Sequence, residues 1–316
     1  HSISTMNKLT FLFILLGSTL SVQSQDTFSI VAVDSATGEV GSAGASCVDL
    51  DRFNLPNDDF IGVLIPNVGA INTQAYYLQG NQTNATTRMN AGDSPSEIIN
   101  WLTANDVQSR SDLRQYGIAA LVNDSPQAAA FTGSSTDDYK NHIVGPNYAI
   151  QGNILLNQQV LDSMESRFLN EPGDLASKLM AALQGANVVG ADTRCSSNGT
   201  SSLFAYVKVA QPTDSFGSPS FLVSVRTSQN ARIEPIDSLQ TKFNLLKSGG
   251  TTGLIETKDF STLFTVYPNP VSSWLTVNNH TKTEYQIQLI NLFGEVVHQT
   301  TLQNMATIAT ETFKPG

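Results

Sequence analysis

The stretch from Thr27 to Cys47, TFSIVAVDSATGEVGSAGASC, restricts the fold more than any other part of the chain. Phe28, Ile30, Val31 and Val33 supply the aromatic and β-branched side chains of a strand, Ala36, Thr37 and Gly38 interrupt it, and Val40 resumes it. The pattern predicts a hairpin. Its second strand, Val40 to Cys47, consists almost wholly of Gly, Ala and Ser, so another backbone or a ligand can come close to it.

What precedes the hairpin reads as a secretory leader. Asn7 and Lys8 follow Met6, Leu9 to Leu20 is an apolar run, and Val22-Gln23-Ser24 fits the small-residue rule for signal peptidase. The run is too short to span a bilayer. The expectation is a leader over residues 1–24, with the five residues before Met6 outside the native start.

A chain of 316 residues can bury one large core and one small one. Seventeen basic against twenty-seven acidic residues give a net charge of -10 with no Lys/Arg cluster, which argues against nucleic acid and anionic membrane surfaces as partners. Two cysteines, Cys47 and Cys195, supply the thiols. In an oxidising compartment an even pair suggests a disulfide, which would stabilise the fold by roughly 4 kcal/mol in the chain-entropy model. The alternative reading makes Cys47 a nucleophile.

Farther along, GAINTQAYYLQG (69–80) reads as a strand. Ser94-Pro95-Ser96-Glu97 announces a helix, with a capping box and Pro in the first turn, and Ile98, Ile99, Trp101 and Leu102 as its buried stripe. YGIAALV and QAAAFTG flank the turn signal Asn123-Asp124-Ser125-Pro126 and predict a second hairpin. Val160, Leu161, Met164 and Phe168 mark one helix; Leu175, Leu179, Met180 and Leu183 mark another, capped by Asp174 and stopped at Gly185. SSLFAYVKV and SFLVSVRT read as closing strands, and a short helix over 237–246 leads to the flexible linker Ser248-Gly249-Gly250-Thr251-Thr252-Gly253. Strands, helices and strands again suit two facing sheets with helices outside.

The blocks TFSIVA, TGE, ASC, TQAYY, QGN and GADTR occur in that order, and together they resemble the DUF1028 family over Thr27 to the mid-220s. The resemblance implies an α+β fold, the four-layer αββα sandwich of N-terminal-nucleophile (Ntn) hydrolases, over residues 25–235. Residues 236–262 are then helix and linker. Beyond them YPNP (267–270), a strand near Trp274 to Val277 and the hairpin YQIQLINLFGEVVHQTTL resemble the C-terminal sorting domain of type IX secretion cargo, a small all-β sandwich over 263–316. Such modules usually continue past their last Pro-Gly with a strand and a basic end, whereas the sequence stops at Lys314-Pro315-Gly316, so a truncated module is expected. The resemblance implies a secreted or cell-surface protein, exported through the periplasm, with the type IX machinery as a partner.

The chemistry follows the same line. The histidines are His1, His142, His280 and His298, so a Ser-His-Asp hydrolase would have to use His142, read as a surface loop residue, and a His-rich zinc site cannot be assembled in the main domain. No P-loop or dinucleotide fingerprint occurs, and neither cofactor nor metal is expected. An Ntn hydrolase needs no histidine: the hydroxyl of its first mature residue attacks and that residue's own α-amino group takes the proton, its ordinary pKa of about 7.7 to 8.0 leaving it a usable base. The family pattern makes Thr27 the nucleophile, Asn153 the oxyanion donor, and Asp192 and Arg194 positioning groups, with Gln74, Ser46 and Gln151 about the substrate. The bland reading of Asp192 and Arg194 is an ion pair beside Cys195, and of Gln151 and Asn153 satisfaction of strand-end backbone. Cleavage after Ser24 would leave Gln25 and Asp26 ahead of Thr27, so the mechanism requires further trimming. The expected function is an amide-bond hydrolase acting on a small amide or peptide-like substrate; the alternative is a non-catalytic binding protein reusing the fold. Substrate identity and a homo-oligomeric state stay open.

Overall fold

The computed structural model describes residues 27–52, 57–248, 264–267, 273–281, 284–290 and 296–310. The leader, residues 249–253 of the linker, the Pro268-Asn269-Pro270 motif, the Leu292-Phe293-Gly294-Glu295 turn and the C-terminal Lys-Pro-Gly lie outside them.

The leading hairpin forms as its pattern requires. Strand β1 (Phe28–Val33) pairs antiparallel with β2 (Val40–Ser46), from Phe28 opposite Ala45 to Val33 opposite Val40. Gly38 closes the turn at φ +75°, where a side chain would be strained. Alternation along β1 then divides the interior. Phe28, Ile30 and Ala32 face one core, while Val31 and Val33 face another, as the two-residue period of a strand dictates.

The remaining elements of this unit are β3 (Gly62–Ile65), β4 (Gly69–Gln74), α1 (Gln79–Asn90), α2 (Pro95–Ala104), β5 (Gln115–Val122), β6 (Ser125–Thr132), β7 (Asn141–Val144), β8 (Tyr148–Gly152), α3 (Gln159–Asn170), α4 (Leu175–Gly185), β9 (Phe204–Ala210), β10 (Phe221–Arg226) and α5 (Pro235–Lys247). Six strands form one antiparallel sheet in the order β10-β9-β2-β1-β8-β7, and four form a second in the order β3-β4-β5-β6. Val31, Val33, Leu64, Ala70, Ala119 and Ala149 fill the space between the sheets. Helices α3, α4 and α5 cover the large sheet through Leu161, Met164, Leu179 and Leu239; α1 and α2 cover the small one through Met89, Ile98 and Leu102. The result is an αββα sandwich. Each fully buried Leu or Ile in these layers contributes about 1.5–3 kcal/mol.

The small residues of β2 have a packing cause. A Cβ on Gly41 would lie 2.5 Å from a methyl of Leu179, and one on Gly44 would lie 2.8 Å from a methyl of Ile61. The close approach left open by the sequence is made by core side chains.

Several local signals are visible in the structure. Ser94 and Glu97 form the reciprocal capping box, and Asp174 caps α4 through the Ser177 amide. Others are displaced. The expected strand over 69–80 ends at Gln74, because Ala75 and Tyr76 take positive φ values of 52° and 41° and the chain then enters α1. His142 lies in strand β7 with its ring half-buried, not in a surface loop.

The C-terminal part contains β11 (Phe264–Tyr267), β12 (Trp274–Asn279), β13 (Tyr285–Ile290), β14 (Val296–Leu302) and β15 (Met305–Ala309). They form a three-stranded sheet, β11-β12-β15, and the antiparallel pair β13-β14, so this part is all β.

Candidate functional site

Antiparallel pairing brings the start of β1, the end of β2 and the end of β8 to one end of the large sheet, with the end of β4 and the start of β5 beside them in the small one. The sequence-predicted residues gather there in two groups. The first is centred on Thr27, which is 1% exposed. Its nitrogen donates to Asn153 Oδ1 at 3.1 Å, and the Asn153 amide donates to the Thr27 carbonyl at 3.2 Å. Gln74 Nε2 also donates to that carbonyl, at 2.9 Å. Asn153 is fully buried, and its Nδ2 donor has no hydrogen-bond acceptor.

A chain of buried polar side chains runs from this group across the gap between the sheets. Gln151 Nε2 donates to Ser29 Oγ at 2.6 Å, and Ser29 Oγ donates to Gln74 Oε1 at 2.5 Å. Gln74 Nε2 donates to Gln115 Oε1 at 2.8 Å, and Gln115 Nε2 donates to Thr132 Oγ1 at 2.9 Å. Thr132 Oγ1 meets His142 Nδ1 at 2.8 Å. Gln115 Nε2 also donates to the carbonyls of Gly152, at 2.9 Å, and Asn141, at 3.1 Å. At the head of the chain Gln151 Oε1 is buried without a donor, against Gly117, where a Cβ would come within 1.9 Å of it.

The second group surrounds the cysteines. Cys47 and Cys195 are joined in a disulfide with a Cα separation of 5.6 Å, so Cys47 holds no thiol for nucleophilic attack. Asp192 is fully buried; one oxygen accepts from the Cys47 amide at 2.9 Å, and Arg194 approaches in a fork, Nε to Oδ1 at 3.0 Å and Nη2 to Oδ2 at 2.6 Å. Ser46, also buried, accepts from the Val48 amide at 3.2 Å and from Arg194 Nη2 at 3.4 Å. Backbone links tie the two groups together: Leu155 bridges Asp192, and the Thr193 amide donates to the Ile154 carbonyl at 3.0 Å. Asp192 and Arg194 thus brace the loop beside the disulfide.

Sequence reasoning missed Ser29, Gln115, Thr132 and His142 as members of the polar chain. The strands around Gln115 and Thr132 were legible and that of His142 was not, and no local motif marks residues that meet only when two sheets stack.

A separate cleft of about 430 Å³ opens where the β3 edge faces β9 and the loop after it. Phe60, Tyr77 and Phe216 wall it, with the Phe216 ring largely exposed. At its floor Lys208 Nζ donates to Asp59 Oδ2 at 2.6 Å and to the Gly62 carbonyl at 2.7 Å. Burial pushes the Lys208 amine below its ordinary value against the pull of Asp59, and burial raises the Tyr77 phenol. None of the predicted site residues lines this cleft. Among the described residues, no group of three or more His, Cys, Asp or Glu could hold a metal ion.

Comparison with known proteins follows the same division of the chain. Residues 27–216 match the model of a family described as "Family of unknown function (DUF1028)", and residues 265–316 match "Secretion system C-terminal sorting domain". The crystal structure of protein SPO2555 from Silicibacter pomeroyi, of the same family model, superposes with a TM-score of 0.54 at 23% identity, covering 72% of this chain and 91% of that one. That likeness is one of fold. No curated protein matches the chain. With the first match extending over more than half its length and the second over its tail, the chain belongs to the DUF1028 family and carries a sorting domain of the type IX secretion system.

Proposed function

We propose that the protein is a secreted amide-bond hydrolase of the N-terminal-nucleophile type, acting on a small amide or peptide-like substrate, with Thr27 as nucleophile. The observation that carries this reading is the pairing of Thr27 with Asn153: the threonine nitrogen lies 3.1 Å from Asn153 Oδ1, while Asn153 Nδ2 is a buried donor with no acceptor. A buried N–H left unbonded costs about 1–3 kcal/mol, and a place where an oxyanion forms is one where that cost is recovered in the transition state. In this reading Asn153 Oδ1 orients the freed α-amine, which takes the hydroxyl proton as Thr27 Oγ1 attacks the substrate carbonyl. Gln74 holds the Thr27 carbonyl, and Asp192 with Arg194 fixes the neighbouring loop.

While Asp26 precedes it, the Thr27 nitrogen is a peptide amide and no base. The chemistry therefore awaits cleavage before Thr27. Intact-mass and N-terminal analysis of exported protein, combined with an electrophilic amide or lactone probe, tests this. A chain beginning at Thr27 that gains the probe's acyl mass, and loses that ability in Thr27→Ala, is the expected result; an exported chain beginning upstream with no labelling refutes it.

The cleft beside β3 favours a second reading, a non-catalytic binding protein. Its aromatic walls, its volume and two residues whose ionisation burial shifts are the marks of a ligand site. Saturable ligand binding that Phe216→Ala weakens, in a chain never trimmed to Thr27, supports that reading.

A further inference from the structure

Antiparallel alternation decides which backbone groups β3 presents at its open edge. The Thr73 amide donates to the Ile61 carbonyl at 2.9 Å, and steps of two residues from that pair make Val63 with Ile71, and Ile65 with Gly69, the pairs that exchange hydrogen bonds with β4. Gly62 and Leu64 therefore turn their N–H and C=O away from β4, toward the cleft. Gly62 is already engaged: its amide donates to the Asp59 carbonyl at 3.1 Å, and its carbonyl accepts from Lys208 Nζ at 2.7 Å. Pro66, next on that edge, has no N–H to offer. Leu64 is left, and among the described residues none bonds its outward amide or carbonyl where it lines the cleft.

We infer that this cleft binds the uncharged main chain of a short extended peptide, one residue of which pairs antiparallel with Leu64 while its apolar or aromatic side chain packs among Phe60, Tyr77 and Phe216. The inference rests on the reading of the cleft as a ligand site and names the class of ligand. An N–H and a C=O side by side on a sheet edge match the acceptor and donor of one residue in an extended chain, which in the antiparallel sense makes both bonds itself. Only one such pair is open, and a cleft of about 430 Å³ lies toward the small end of ligand pockets, so the site seats one or two residues and not a long strand.

The lining side chains decide the rest. Among the described residues Lys208 and Asp59 are the only charged groups in the wall. The three protons of Lys208 meet three acceptors, Asp59 Oδ2 at 2.6 Å, the Gly62 carbonyl at 2.7 Å and the Asp59 carbonyl at 3.2 Å, so no cation stands open for a carboxylate, and a ligand ammonium would have to compete with Lys208 for Asp59. The Tyr77 hydroxyl donates to Gln82 Oε1 at 3.0 Å, and Gln82 Nε2 donates to the Phe60 and Ile61 carbonyls, so the polar end of Tyr77 is tied into the protein and its ring is what a ligand meets. Phe216 is 63% exposed on a turn in which the Ser218 amide donates to the Ser215 carbonyl at 3.0 Å and Gly217 takes φ +81°. Asp214 Oδ2 closes the base of that loop by accepting from the amides of Gln211 at 2.8 Å and Ser220 at 2.7 Å. A ring on a loop already fixed in this way loses little conformational freedom when a ligand covers it.

The test is an NMR titration of the untrimmed protein with three probes: N-acetyl-L-phenylalanine N-methylamide, the same molecule methylated on its phenylalanine nitrogen, and free phenylalanine. Methylation there removes the donor for the Leu64 carbonyl and keeps the ring and the zero charge. The expected result is a saturable shift of the Leu64 amide with the first probe, affinity lower by about tenfold for the second through loss of a main-chain hydrogen bond, and weaker binding again of the zwitterion. Phe216→Ala, a change on an exposed turn, is expected to weaken the first probe by about tenfold. Equal affinity for the first two probes, lowered in Phe216→Ala, overturns the main-chain pairing and leaves the cleft a ligand site. Binding of free phenylalanine as tight as that of the first probe overturns the uncharged class. A titration in which no probe gives a saturable shift at any lining residue overturns both the inference and the reading of the cleft on which it rests.

Discussion

Thr27 and Asn153 hold each other by two hydrogen bonds: the threonine nitrogen to Asn153 Oδ1 at 3.1 Å, and the Asn153 nitrogen to the threonine carbonyl at 3.2 Å. The second depends on backbone alone, so only the first is lost when the side chain is removed. Asn153→Ala is expected to change the stability of the fold by no more than about 1 kcal/mol, because it removes one buried hydrogen bond together with a buried Nδ2 donor that has no acceptor. On the hydrolase reading it also lowers turnover of the trimmed protein by about 10²–10³-fold through loss of the oxyanion donor. Urea unfolding and acylation kinetics on the same variant separate the two effects.

The disulfide between Cys47 and Cys195 joins the end of β2 to the Asp192 loop across a sequence separation of 148. Reduction, or Cys47→Ser with Cys195→Ser, is expected to lower the unfolding free energy by about 4–5 kcal/mol in the chain-entropy model. Denaturant melts with and without reductant measure it; an unchanged midpoint would show that the bridge does not constrain the unfolded chain.

Arg114 and Asp106 form an ion pair whose side chains are each only 1% exposed. Burial pushes the Asp106 carboxyl up, but hydrogen bonds from Arg114, the Arg110 amide, Asn81 and the Gln108 amide outweigh it and hold the group far below the usual carboxylate range. Asp106→Asn is expected to cost about 3–5 kcal/mol, since it strands a buried guanidinium. A carboxyl depressed in the folded state stabilises fully above about pH 4 and progressively less as pH falls below it. The variant's stability should therefore converge on that of the parent in acid, which a pH series of chemical melts would reveal.

Gly41 lies under α4, with two leucine methyls and a valine methyl within 3.2 Å of where its Cβ would stand. Gly41→Ala is expected to destabilise by about 1–3 kcal/mol despite the better strand propensity of alanine, because the packed layer must shift. Gain of stability in thermal melts would contradict the close helix–sheet packing.

Features set by neighbours in sequence were legible without coordinates. The β1–β2 hairpin follows from alternating apolar residues and a Gly turn, and the α2 start from Ser94, Pro95 and Glu97. Thr27 as a candidate came from the family resemblance rather than from the strand pattern, and the small residues of β2 left open whether ligand or protein fills the space over Gly41 and Gly44. The α1 start escaped because TQAYYLQG is continuous in strand-like composition, while the break at Ala75 and Tyr76 is a backbone turn that composition does not encode.

The chain's own order of residues thus determined which neighbouring strands form hairpins, which helices are capped and which family signature the protein bears, since each depends on contacts a few residues apart or on motif order. Only the stacking of two sheets decided that Gln74, Gln115, Thr132 and His142 meet in one hydrogen-bonded chain that reaches Thr27. The reason is physical: a strand's period specifies which face a side chain takes, but the partner across an inter-sheet gap comes from another strand tens of residues away, whose position is settled by the packing of the whole core.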